Sequence, residues 1–156
     1  ALAEMRTLLM ELRPAALAEA ALGDLLRQLA EAVTGRTGLP VTVEVAGQCV
    51  PPSEVQVALY RIAQEALNNI VKHAFASQVN VTLDCTSYPT TEQRRIELRV
   101  SDDGRGFDPH AIPANRLGLG IIRERAQTVG ASASIDTELG RGTMVGVVWQ
   151  EDESEG

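Results

Sequence analysis

Leu2, Met5, Leu9 and Leu12 recur at three- and four-residue spacing as far as Pro14, which predicts a short amphipathic helix with a coiled-coil-like seam. Two heptads cannot stand alone. The helix reads either as packed on its own domain or as the end of a helical dimerisation stalk, and the pattern favours the stalk. A second helix is predicted over residues 17–34, with Leu22, Leu25, Leu26, Leu29, Ala30 and Val33 on its apolar side and Gly35 and Gly38 as stops. Val41-Thr42-Val43-Glu44-Val45 alternates as a strand. Pro51-Pro52-Ser53 announces a long helix reaching Ala74, with Ser53 and Gln56 spaced as a capping box. Strand patterns follow over residues 79–85 and 95–101, and the polar link 86–93 reads as a hairpin loop. A loop with Pro109 and Pro113 spans residues 107–117, and a helix is predicted over 118–129. Strands over 131–136 and 143–149 are joined by Leu139-Gly140-Arg141-Gly142. Helices first, then strands interleaved with helices, then an antiparallel finish: this order predicts an α+β two-layer sandwich. Its sheet would be mixed, mostly antiparallel, and covered on one face by helices.

The alternation across residues 95–101 carries a consequence. Ile96, Leu98 and Val100 share one strand face, and Asp102 continues it by period two. A carboxylate is thus aimed where the pattern wants a core residue. Burying a charge is costly unless something hydrogen-bonds it, so a ligand or partner is expected there. Gly104 and Gly106 follow in Asp102-Asp103-Gly104-Arg105-Gly106-Phe107, and glycines let a backbone turn sharply and approach a bound group. The same letters also spell an ordinary turn.

On a helical wheel of ~100° per residue, Leu59, Ala63, Ala66, Ile70 and Ala74 form one stripe of the long helix, and Arg61, Glu65, Asn68, Asn69 and Lys72 cluster opposite. Such a cluster is commonly a solvated face. An asparagine pair, however, serves an exposed helix poorly. Glu65, Asn69 and Lys72 also present an acid, a neutral oxygen ligand and a cation in one line. Magnesium takes oxygen ligands while bridging phosphates, a lysine neutralises phosphate charge, and a glutamate can orient or deprotonate a hydroxyl or water. Gly118-Leu119-Gly120 opens a helix, where free N–H groups and the helix dipole favour an anion. It is too short for a dinucleotide fingerprint, and no strand immediately precedes it. Thr143 shares a strand face with Val145 and Val147, so its hydroxyl points inward; the bland reading is a satisfied core threonine.

Composition narrows the partners. The net charge is −7 and aromatics make up only 3% of 156 residues. An acidic chain lacks the basic footprint that a nucleic-acid backbone requires, but a small anionic ligand needs only a few local donors. Cys49 and Cys85 have no metal-ligand spacing and are expected to be reduced residues of a cytoplasmic protein. No apolar run reaches the ~18 residues of a membrane span, so no direct membrane contact is expected.

Each motif is weak alone; their order is specific. Glu65-Ala66-Leu67-Asn68-Asn69-Ile70-Val71-Lys72-His73-Ala74 resembles an N box, Asp102 to Phe107 a G1 box, and Gly118-Leu119-Gly120 a G2 box. Gly140-Arg141-Gly142-Thr143 resembles a closing Gly-x-Gly-Thr. The chain, over about residues 18–149, thereby resembles the Bergerat-fold ATP-binding superfamily of gyrase, heat-shock chaperone ATPases, MutL proteins and histidine kinases. The Lys72-His73-Ala74 ending and the lead-in Met5 to Pro14 look like sensor histidine kinases that pair with NarL-type response regulators.

The resemblance implies Mg-ATP as cofactor. Asp102 would accept from the adenine amino group, with Thr143 supporting the same end of the base. Gly104 and Gly106 would let the backbone pass close to the nucleotide. Asn69 would bind Mg²⁺, Lys72 would sit near phosphates or ribose, and Glu65 would match the acidic residue that activates water in hydrolysing relatives, so Glu65 and Lys72 are the catalytic candidates. Asn68, His73 and Asp103 would line the site, residues 107–117 would form a short lid, and Gly118, Leu119 and Gly120 would meet the phosphates. It also implies phosphoryl transfer to a histidine on dimerisation helices. His73 lies in the N box and His110 in the lid, so neither has the setting of an acceptor. The expected organisation is the end of a dimerisation and phosphotransfer helix over 1–14, the catalytic domain over 15–150 and an acidic disordered tail over 151–156. Partners would be the protein's own dimerisation helices, in a homodimer, and a response regulator. The competing readings are an anti-sigma-factor-type serine kinase of the same fold and a non-catalytic nucleotide-binding scaffold module.

Overall fold

The computed structural model describes residues 20–48, 50–87, 93–106 and 117–151. The predicted helix over 1–14, all of the 107–117 lid except Leu117, which opens a helix, and the tail beyond 151 lie outside the described residues, as do Cys49 and most of the hairpin link. Described in chain order are α1 (Leu22–Thr37), β1 (Val41–Ala46), α2 (Ser53–Asn69) with a π-helical continuation (Ile70–Ala74), β2 (Val79–Ser87), β3 (Arg94–Asp102), α3 (Leu117–Thr128), β4 (Ser132–Glu138) and β5 (Gly142–Gln150).

The five strands form one sheet in the order β1-β2-β3-β5-β4. β1 pairs with β2 in parallel, and every other pair is antiparallel. This is the expected mixed, mostly antiparallel sheet. The inward rows are Val79, Val81 and Leu83, then Ile96, Leu98 and Val100, then Val145, Val147 and Trp149, all buried. They meet Leu25, Leu26, Leu29 and Val33 of α1, Leu59, Ile62, Ala63, Ala66 and Leu67 of α2, and Ile122 and Ala126 of α3 in one core. The opposite sheet face is polar: Glu97 stands between Arg95 and Arg99, 3.9 and 2.8 Å from their guanidinium nitrogens.

Four local expectations need correction. Helix α1 runs through Gly35 and ends at Gly38, whose φ of 77° places it in the left-handed region and whose N–H donates to Thr34 O at 2.8 Å. A single helical glycine costs only about 1 kcal/mol, less than burying Val33 and closing the cap returns. The capping box does not form. Pro52 is the N-cap, Ser53 is already helical and makes no side-chain cap bond, and Gln56 is buried with Nε2 donating to Ala20 O at 2.5 Å. The long helix is not α-helical to Ala74, because it changes to π from Ile70 onward. Cys85 is disulfide-bonded rather than reduced, and Cys49 is the chain's only other cysteine.

Candidate functional site

The site grows from the end of β3. Asp102 is the last residue of that strand and sits in register with the fully buried Val79 of β2, so its side chain continues the inward row as the alternation predicts. Its Oδ1 accepts from Gly104 N–H at 2.7 Å. Its Oδ2 is buried without any hydrogen-bond partner, the one such side-chain atom among the described residues. Burial is the largest influence on this carboxyl and raises its pKa; the Gly104 N–H opposes the rise, the neighbouring Asp103 charge adds to it, and the Thr143 backbone opposes it. An acceptor oxygen held dry and unpaired is a standing demand for a donor.

The backbone around Asp102 is packed so closely that side chains are excluded. A Cβ on Gly104 would lie 2.2 Å from Ala74 O and 2.8 Å from Asp102 Oδ1. One on Gly142, where φ is 84°, would lie 2.1 Å from Asp102 O. Gly106 is at φ 59°, against Glu138 O. These glycines bring three segments together: the loop after β3, the end of the π segment and the β4–β5 turn. Gly140 N–H closes the last contact by donating to Arg105 O at 2.7 Å.

Thr143 lies on β5 beside this loop, half-buried, and its hydroxyl is 2.9 Å from that of Thr137. Thr137 was not singled out from the sequence. Its signal was available in the period-two row Ala133, Ile135, Thr137, which puts a hydroxyl on the inward face of β4 opposite Thr143.

Of the long-helix cluster, Glu65, Asn68 and Asn69 are half-buried on α2, whereas Lys72 and His73 are exposed on the π segment. The wheel holds through Asn69. Beyond it the winding widens to i→i+5, and Lys72 and His73 are carried on that wider turn. Asp103 is exposed at the start of the loop after β3. Its carboxylate accepts from Ser77 N–H at 2.8 Å, from Gln78 N–H at 3.0 Å and from the Ser77 hydroxyl, and these donors hold its pKa below the usual value. It braces the chain leaving the π segment. Gly118, Leu119 and Gly120 lie in the first turn of α3, where no acidic side chain stands. Leu119 packs against the core, so only its backbone can face a ligand; Gly120 has open space around it. α3 packs on α2.

A dry carboxylate oxygen at a strand end and a glycine-lined backbone cradle beside it are what a nucleotide-binding α+β domain offers a base. Residues 54–153 match the model of the family described as histidine kinase-, DNA gyrase B-, and HSP90-like ATPase, and the chain belongs to that family. Among curated relatives, it is 31% identical over 144 residues to the sensor histidine kinase LiaS of Bacillus subtilis, covering 92% of this chain and 38% of the relative. It is 36% identical over 153 residues to the sensor histidine kinase YhcY of the same organism, covering 94% of this chain and 36% of the relative. Among solved structures, the histidine kinase domain of the Erythrobacter litoralis EL346 blue-light activated histidine kinase superposes with a TM-score of 0.61 at 29% identity, over 82% of this chain and 60% of that one. The chain thus spans little more than a third of the length of these curated relatives. Among the described residues no helix is long and apolar enough to cross a membrane.

Proposed function

We propose that this chain is the ATP-binding catalytic domain of a two-component sensor histidine kinase. In this reading it binds Mg-ATP and delivers the γ-phosphoryl group to a histidine on the dimerisation helices of the full protein. The observation that carries the reading is the orphaned Oδ2 of Asp102. Adenine offers an exocyclic N–H₂ to such an acceptor; guanine presents a carbonyl oxygen at that position and is repelled. Thr143 supports the same end of the base, and Gly104, Gly106 and Gly142 let backbone rather than side chains wall it.

Magnesium fits this donor set only in company. Among the described residues no group of three or more His, Cys, Asp or Glu side chains gathers to hold a metal. The Asn69 amide oxygen would therefore serve as one ligand beside phosphate oxygens and water. Asn68, Lys72, His73 and the backbone of Gly118, Leu119 and Gly120 line the phosphate end. Bound magnesium would supply neutralisation of phosphate charge. The protein's own part is positioning: Lys72 offsets negative charge, and Glu65, one turn from Asn69, takes up the proton released when an imidazole nitrogen displaces the β–γ bridging oxygen. Partners of the whole protein in this reading are its own dimerisation helices, in a homodimer, and a NarL-type response regulator. Residues 1–14 would belong to the dimerisation helix and 15–150 to the catalytic domain, in the cytoplasm.

Calorimetric titration of Mg-ADP, a non-hydrolysable ATP analogue and its GTP equivalent tests the reading. Adenine nucleotides are expected to bind in the micromolar range, GTP not at all, and Asp102→Ala to abolish binding. Equal binding of both bases, or retention by the mutant, would sink it.

A further inference from the structure

Arg105 touches three parts of the site at once. Its N–H donates to Ala74 O at 2.8 Å and its Nε–H to His73 O at 2.8 Å, so two bonds close on the last residues of the π segment. Its carbonyl accepts from Gly140 of the β4–β5 turn at 2.7 Å. Its guanidinium lies 4.8 Å from the centre of the Phe75 ring. Phe75 is the one non-glycine residue with positive φ among those described, at 51°, and it is 81% exposed. An aromatic residue in left-handed backbone with its ring in water is disfavoured twice. What accompanies both costs here is the stack under Arg105. A lysine would supply the charge but neither the directed Nε–H nor the flat face.

We propose that Arg105 is a positioning residue. It clamps the end of the π segment, which bears Lys72 and His73, to the loop that carries Asp102, and so sets the spacing between the base-reading and phosphate-facing halves of the nucleotide site. The inference rests on the site reading above. Phe75 is the other jaw of the clamp: its left-handed turn ends the helix and presents the ring to the guanidinium. A loosened clamp leaves the base pocket intact, because Asp102 is held by its pairing with β2 and by the Gly104 N–H. It lets the phosphate-facing side drift.

The test compares adenosine with Mg-ADP in calorimetry on the wild type, Arg105→Ala, Arg105→Lys and Phe75→Gly. Adenosine affinity is expected to change less than about twofold, while Mg-ADP affinity falls about five- to tenfold, the loss of one hydrogen bond and one exposed cation–π contact. Arg105→Lys is expected not to rescue it. Phe75→Gly separates positioning from stability: glycine relieves the left-handed strain, so its melting temperature holds or rises while Mg-ADP affinity still falls. Nucleotide-free hydrogen exchange gives a second readout, in which Arg105→Ala speeds exchange at 70–77 and 103–106. Equal losses for adenosine and Mg-ADP, no loss in Phe75→Gly, or unchanged exchange would each overturn the clamp. An Asp102→Ala protein that still binds Mg-ADP would instead overturn the site reading. A wild type that binds no adenine nucleotide would overturn both.

Discussion

At the scale of single residues, Asp102 shows how a site is kept at the expense of stability. Its carboxyl has an ordinary value of 3.8 and is raised by burial in the fold. The native state therefore prefers the protonated form. The stability this preference confers is fully present below 3.8 and is lost as pH rises through the raised folded value. Nucleotide affinity should run the other way, because an amino donor needs the ionised acceptor. Titration at stepwise lower pH is expected to show weakening affinity and proton release on binding; affinity flat across that window would deny Asp102 the base-reading role. Asp102→Asn removes the buried charge and keeps an acceptor for Gly104. We expect it to gain about 1 kcal/mol, a rise of several degrees in melting temperature, while losing adenine binding.

At the scale of elements, the glycines separate into those that shape the site and those that merely occupy a helix. Gly142→Ala would place its Cβ 2.1 Å from Asp102 O at a φ of 84°. Both strain and overlap act there, and a loss of about 2–4 kcal/mol in denaturant unfolding is expected, with nucleotide binding lost in parallel. Gly35→Ala is the counter-case. It sits inside α1 with nothing within 4 Å of a built Cβ, so a gain of about 0.5–1 kcal/mol is expected and nucleotide affinity should not move. The change from α to π winding at Ile70 belongs to this scale as well. Ile70 stays buried in the core while Lys72 and His73 on the same segment are exposed, and π turns recur at functional sites.

At the scale of the molecule, the three described helices on one sheet face leave the other face polar, and the proposed nucleotide site lies at the edge where β3 ends and α2 changes its winding. The disulfide at Cys85 lies at the far end of β2 from Val79, the strand partner of Asp102. Such a bond is rare under the reducing poise of a cytoplasm. Melting curves with and without dithiothreitol are expected to differ by several degrees, corresponding to about 2–4 kcal/mol, while Mg-ADP affinity stays the same. An unchanged melting point would mean that the bond adds nothing to the fold.

Much of this protein is legible in the sequence because its periods are local. The alternation of β3 alone aims Asp102 inward, and the leucine spacing of α1 alone chooses its buried side. The order of the four motifs carries the family. Other features depend on neighbours distant in the chain, and only the tertiary structure decides them. Gln56 leaves its expected cap for Ala20 because burial of its side chain demands a partner there. Asp103 turns to Ser77 and Gln78, and Arg105 to His73 and Phe75, because the loop after β3 lands against the end of the π segment. Strand period two and helix period 3.6 are properties of a segment; which donor meets which acceptor is set by the packing that brings segments together.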